Sequence, residues 1–498
     1  MALPLPEYDR LDATGMAALV ASGELSPRDL LEAALARIDA RNPTLNAVVD
    51  DLRERAEARV DNLPDGPLKG VPFLLKDLKQ HLVGTQVTGG CKLYKGKVSR
   101  YTSELSRRYE AAGLQVLGRT NSPEFGIMGI TEPELWGPCR NPWNRDHTPG
   151  GSSGGSASAV AARMVPVAHG GDGGGSIRIP ASACGLVGLK PTRGRVTMSP
   201  TLGDAWQGFV QEHVLARTVR DSALLLDIAD SEPTIGEPYA APAKPGPWVD
   251  EVGKDPGKLR VAVCRDALFA NEQHPDCVAA VDDAAELLRS LGHEVTFATP
   301  PFPQSDLVRA YFLTVAAGVA CFVEEAAAEA GKKPSFHDFE AGTWMLALIG
   351  WKSSAAELEW SRRVIQLAGR GVAAFFEDHD VFLSSTLGRP PARIGELALS
   401  AAEELQVQLL RHVAIKPILD FALDQMGKGK MAATPNTQLF NQTGQPGVSL
   451  PLMWNDQGLP IGTQFVSRFG DEATLFRLAS QLEEARPWRD KVPSMVRP

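Results

Sequence analysis

Cysteine is scarce in this chain and never paired. Its six cysteines stand singly at positions 91, 139, 184, 264, 277 and 321, with no C-x-x-C spacing. That excludes a disulfide framework and fits free thiols in a reducing cytosol. Nine histidines are present, yet none shows H-E-x-x-H or another metal-ligand spacing, so a metal hydrolase is excluded. Positive charge is also short. A net charge of −9 argues against a nucleic-acid backbone or an anionic membrane as partner. No run is expected to have the apolar length of a membrane span. The start of the chain, Met1 to Glu7, lacks the basic and apolar regions of a signal peptide. Neither G-x-x-x-x-G-K-[ST] nor G-x-G-x-x-G occurs in the glycine-rich segments, which removes the common phosphate and dinucleotide cradles. These absences predict a cytoplasmic protein.

What remains is an ordinary globular composition, 43% hydrophobic and 22% charged, in 498 residues that can bury a large core. Residues 11–22 read as an amphipathic helix. Ser26-Pro27-Arg28-Asp29 then supplies an N-cap, a first-turn proline and an acidic N3 residue. Leu30, Leu31, Ala34, Leu35 and Ile38 follow at helical spacing, which predicts an antiparallel helical pair. Strand and helix then alternate: strand 71–78, helix 103–112, strand 114–118, helix 155–163 and a strand-like 164–168. After a proline- and glycine-rich connection at 232–258, strand 259–263, a helix near 277–291 and strand 294–297 repeat the pattern. Residues 305–378 read as mostly helical, 381–383 as a buried strand, 447–452 and 461–466 as a strand pair, and 471–485 as a closing helix. Such alternation predicts a layered α/β fold with a mainly parallel sheet.

Two serine-bearing glycine clusters stand out, Gly150–Ser156 and Gly171–Ser176. One glycine loop alone is explained by tight turns and close packing. Two, each carrying serine at an element junction, suit a nucleophile with backbone N–H groups to hold an oxyanion. Gly150-x-Ser152-x-Gly154 matches the nucleophile elbow G-x-S-x-G, but the loop Asn141–Pro149 precedes it where an elbow needs a buried strand. His169 is the histidine beside a cluster, and no histidine pattern points to a triad. Lys76 follows the apolar run Val71–Leu75. A lysine there is either a salt-bridged strand end or, if burial strips its charge, a base.

These segments resemble the amidase signature family, the Ser–cis-Ser–Lys hydrolases. The resemblance rests on Gly70–Asp77, Leu117–Asn121, Gly150–Ala159, Gly171–Pro180, Gly185–Thr192, Gly444–Pro446 and Gly458–Gly462, which arrive in the family's order. The 24-residue spacing of Ser152 and Ser176 suits it too. The resemblance implies an α/β amidase signature fold with a large mixed, mostly parallel central sheet covered by helices on both faces. It implies an N-terminal helical segment, 1–65, packed on the core, and a single domain, 66–498, whose residues 300–400 form a variable, mostly helical pocket region.

It also implies roles. Ser176 is the acylated nucleophile. Ser152, after a cis peptide, bridges it to the base Lys76. The N–H groups of Gly173, Gly174, Gly175 and Ser176 form the oxyanion hole. Ser153 supports the serine loop, and Asp172 with Arg178 forms a structural ion pair. No metal or cofactor is called for, and the partners are a small-molecule amide and water; a homodimer is compatible with this. Within the family, Pro72–Leu78, Thr131–Gly137, Arg140–Asn144 and Pro166–Gly170 resemble most the hydrolases of cyclic and linear 6-aminohexanoate-type amides. Phe125, Ile127, Met128 and Trp344 are pocket candidates, with Phe336, Trp351 and Trp360 open either to the pocket or to helix packing. An apolar, aryl or ω-amino-acid amide is the expected substrate. The alternatives are the glutaminase subunit of a tRNA-dependent amidotransferase, a serine esterase with a His–Asp pair, and a non-catalytic binding protein.

Overall fold

The computed structural model describes residues 3–232, 236–269, 272–398, 407, 415–429 and 433–496. Its centre is an 11-stranded sheet. The strands are β1 Val48–Asp51, β2 Pro72–Lys76, β3 Gln115–Thr120, β4 Val167–Asp172, β5 Val187–Lys190, β6 Gln211–Ala216, β7 Arg260–Val263, β8 Glu294–Phe297, β9 Val381–Ser385, β10 Gly447–Trp454 and β11 Pro460–Ser467. Their spatial order is β1-β3-β2-β4-β6-β5-β10-β11-β9-β7-β8. Every residue of β2, β3, β4 and β6 is buried, as strands covered on both sides must be.

The mixed sheet is as expected, but it is not mostly parallel: six of its ten pairings are antiparallel. The cause lies in who sits beside whom. A strand–helix–strand crossover fixes direction, and β4 and β5 do run the same way. However, β6 lies between them and is antiparallel to both. On the far side, β10 and β11 form the expected hairpin through the turn at 455–458, which adds another antiparallel pair.

At the N-terminus, the Ser26–Asp29 capping box forms, and Leu30, Leu31, Ala34, Leu35 and Ile38 are buried. The first helix, Ala13–Ser22, does not pair with the second as expected. It docks on the helix Val219–Ala229, whose Asp221 carboxylate accepts the N–H groups of Ala13 (2.8 Å) and Thr14 (2.9 Å). Residues 48–51, within a stretch expected to be helical, form the edge strand β1 and pair with β3.

The helices Gln304–Glu329, Ala341–Lys352 and Ala355–Asp378 fill the mostly helical region. One expectation needs correcting here. Gln304–Glu329 contains an 18-residue stretch with the length and apolarity of a bilayer span, with a mean hydropathy of 1.6. Its Leu307, Ala310, Leu313, Ala316, Val319 and Val323 are instead buried in a second apolar cluster with Trp344, Ile349 and Val372.

Candidate active site

Three chain segments converge at the ends of β2 and β4. Lys76 is the last residue of β2 and is 1% exposed. Ser152 lies in the loop that enters the helix Gly154–Ala161, directly after a cis Gly151–Ser152 peptide. Gly151 presses against the backbone carbonyl of Ile130 and leaves no room for a Cβ. Ser176 lies between β4 and the helix Arg178–Cys184. The Lys76 ammonium donates to Ser152 Oγ at 2.6 Å and to the Gly171 carbonyl at 3.4 Å. The Ser153 N–H donates to the Ser176 carbonyl (3.3 Å), and Ser153 Oγ bridges the carbonyl and N–H of Gly171, at 3.3 Å each. The two serine loops are thereby fixed to each other and to the lysine strand. The Ser152 and Ser176 hydroxyls are not hydrogen-bonded to one another in this structure.

Burial pushes the Lys76 amine down to about 8, against the pull of the Glu212 and Asp172 carboxylates. A lysine so placed is neutral in about one molecule in ten at pH 7, against well under one in a thousand for an ordinary surface lysine.

Asp172 organises the glycine loop. Its carboxylate accepts the N–H groups of Gly175 (2.7 Å) and Ile177 (3.2 Å) and meets the Arg178 guanidinium twice, at 2.9 Å. Burial alone would raise this carboxyl; the charge and hydrogen bonds of Arg178, with Asn441, hold it far below the usual carboxylate range. Arg178 reaches on to the Thr437 carbonyl, Gln464 and Asn441. The bond to Asp172 also corrects the expected oxyanion hole: the Gly175 N–H is committed. Among the described residues, the N–H groups of Gly173, Gly174 and Ser176 have no internal acceptor. Gly175 instead supplies the turn, at φ 123°, packed against the Thr437 side chain so closely that a Cβ would not fit.

Removing one partner of this fully buried ion pair strands the other. Arg178→Leu is expected to destabilise the fold by about 3–5 kcal/mol, read as a lowered urea midpoint with an unchanged slope. A variant that unfolds with the wild type would show that the pair does not organise the loop.

The pocket candidates divide. Phe125 is buried, its ring 5.8 Å from that of Phe322 and 6.1 Å from that of Phe339. Its neighbour Gly126 lies against the Ser152 side chain. Ile127 and Met128 are half-buried on the same loop. Trp344 packs with Phe336, Phe339 and Trp351. Through Phe339, whose ring also meets that of Phe125, it belongs to the same aromatic cluster. Trp360 is 36% exposed.

A sequence profile of the Amidase family matches residues 29–476. The chain belongs to the amidase family. A 6-aminohexanoate-cyclic-dimer hydrolase of Pseudomonas sp. (strain NK87) is 37% identical over 98% of this chain and 97% of its own length. The solved structure of a 6-aminohexanoate cyclic dimer hydrolase complexed with substrate superposes with a TM-score of 0.90, at 35% identity, covering 98% of this chain and all of that one. A bacterial aryl acylamidase of the amidase signature enzymes follows at a TM-score of 0.85 and 26% identity, over 98% and 99% of the two chains.

Against this amidase framework, several residues beside the glycine loop escaped sequence reasoning. The Trp206 ring closes over Gly173, and the Tyr311 hydroxyl over Gly174, with no room for a Cβ at either glycine. The Phe209 and Tyr311 rings stack at 5.8 Å. Thr437 Oγ1 donates to the Gly174 carbonyl (2.7 Å), and Asn441 to the Asp172 carbonyl (2.9 Å). The one available signal was the polar run Asn436-Thr437-Gln438 and Asn441-Gln442 just before Gly444, buried throughout.

Proposed function

We propose that this protein is a serine amidase that cleaves a carboxamide C–N bond through a seryl acyl-enzyme. The observation that carries the reading is the 2.6 Å contact between a fully buried Lys76 amine and Ser152 Oγ. Neutral Lys76 takes the Ser152 proton while Ser152 takes that of Ser176, whose Oγ attacks the carbonyl carbon. The N–H groups of Gly173, Gly174 and Ser176 receive the oxyanion. The relay then returns a proton to the leaving nitrogen, the step that makes amides and not only esters accessible. Water repeats the sequence on the acyl-enzyme.

The apolar surroundings of the serines, with Phe125 on one side and Trp206 and Tyr311 on the other, favour an uncharged, apolar acyl group. Together with the names of the relatives, this supports an aryl or ω-amino-acid amide, the 6-aminohexanoate cyclic dimer among them. The net charge of −9 supports an enzyme without nucleic-acid or anionic-membrane partners. Turnover of the cyclic dimer, an acyl-anilide and a short aliphatic amide, compared as kcat/KM, tests the assignment. The first two are expected to exceed the aliphatic amide by about tenfold or more, the discrimination that apolar contacts of this size supply. Efficient turnover of the shortest polar amide alone would overturn it.

A further inference from the structure

Behind the serine loops, on strands the proposed relay does not use, lies a buried polar group with no assigned task. Glu212 on β6 pairs across the ladder with Gly171 on β4. Its carboxylate lies against the Gly171 backbone so closely that a Cβ at 171 would come within 2.6 Å of Oε2. The carbonyl of that same Gly171 accepts from Lys76. Only a glycine's backbone therefore separates the carboxylate from the lysine. His169 stands beside it, Nε2 2.8 Å from Glu212 Oε2, both side chains buried. The two are close without being aligned as a hydrogen bond, and Tyr109, its ring 6.3 Å from that of His169, adds a further unpartnered buried polar atom. Such unsatisfied groups are costly in a core and are retained where they serve a purpose.

We propose that Glu212 is a positioning residue of the amidase reaction: across Gly171 it supplies the counter-charge that steadies Lys76 when the lysine takes the proton of Ser152. The inference rests on the reading of Lys76 as the base. The transfer leaves a full ammonium on a side chain that is itself buried. Two carboxylates face it, Glu212 and Asp172. Asp172 is already neutralised by Arg178 in direct contact. Glu212 is faced by His169, by Tyr109 and, more distantly, by Lys79, whose own ammonium sits 3.9 Å above the Phe322 ring. No arginine or lysine forms an ion pair with Glu212 among the described residues.

Removing a negative charge near a lysine makes its ammonium less stable, so the base titrates at a lower pH and is a weaker base. The probe is phenylmethanesulfonyl fluoride, which sulfonylates a relay-activated serine with loss of fluoride and needs no knowledge of the substrate. Its second-order inactivation rate is followed from pH 5 to 10 in the wild type, Glu212→Gln, Glu212→Asp and Lys76→Met. In Glu212→Gln the acid limb is expected to move down by about half a pH unit or more, and the plateau to fall about three- to tenfold. Glu212→Asp, which withdraws the carboxylate by one methylene, moves it the same way by less and serves if the glutamine variant does not fold. A purely structural Glu212 would lower the plateau or the thermal midpoint with the limb in place, and that result overturns the proposal. If Lys76→Met keeps the limb, the lysine is not the titrating base and both readings fall. If Lys76→Met loses it while both Glu212 variants leave it unmoved, the counter-charge alone falls.

Discussion

Ser176→Ala is expected to lower kcat/KM for every amide substrate by about 10⁴-fold or more, as loss of a catalytic nucleophile does. Folding should be nearly untouched, because Ser176 is 9% exposed and its backbone, not its hydroxyl, ties the two serine loops together. Thermal unfolding and the circular dichroism spectrum are the controls. Ser152→Ala should be severe as well, since it breaks the route by which Lys76 reaches Ser176. The double variant should be no worse than the more damaged single one, because members of one relay act as a unit. A fluorophosphonate followed by mass spectrometry should place the adduct on Ser176 in the wild type and on neither serine in Ser176→Ala. Undiminished turnover in Ser176→Ala, or an adduct on Ser152, would move the nucleophile to the other loop.

The residues that were legible in the sequence have a chemical signature of their own. Lys76 was conspicuous because Val71–Leu75 is apolar and a cation at the end of a buried strand is abnormal. The serine loops were conspicuous because two glycine clusters are more than turns require. What stayed hidden was burial that composition does not announce. β6 begins Gln211-Glu212-His213, a polar run that looks like loop yet is wholly buried and inserts between β4 and β5. That insertion, antiparallel to both neighbours, is also one reason the expected mainly parallel sheet is mixed. Trp206 and Gln207 have left-handed backbones at φ 52° and 55°, a conformation that nothing in their side chains favours. They nevertheless carry the ring that covers Gly173. The donor set was misread for a related reason. A glycine-rich loop advertises free N–H groups, but only the position of Asp172 decides that the one on Gly175 is taken. Trp344 shows the converse: an aromatic in the expected pocket region whose ring partners are other aromatics, Trp351 of its own helix and Phe336 and Phe339 of the segment before it.

Lys76→Met is expected to separate chemistry from stability. Activity should fall by about 10³-fold or more, since the variant has no base for Ser152. In the wild type, kcat/KM should drop tenfold per pH unit below about 8, where burial sets the lysine, and the residual activity of the variant should show no such limb. Stability should move the other way. The folded-state value near 8 lies below the ordinary 10.5, so the folded state disfavours the proton that the unfolded chain holds. The resulting penalty is absent above about pH 10.5, grows as pH falls towards 8 and is constant below that. Its size at pH 7 is about 3 kcal/mol at most. Methionine removes the penalty at similar volume and forfeits one hydrogen bond to Ser152, about 1 kcal/mol. The variant should therefore resist urea better than the wild type at pH 7, by about 1–2 kcal/mol, and lose that advantage by pH 10.5. Equal midpoints at pH 7 would mean that Lys76 sits in the fold as an ordinary charged lysine. A difference that closes with rising pH would show that the fold holds a destabilised amine where a base is needed, the exchange of stability for function expected of an active site.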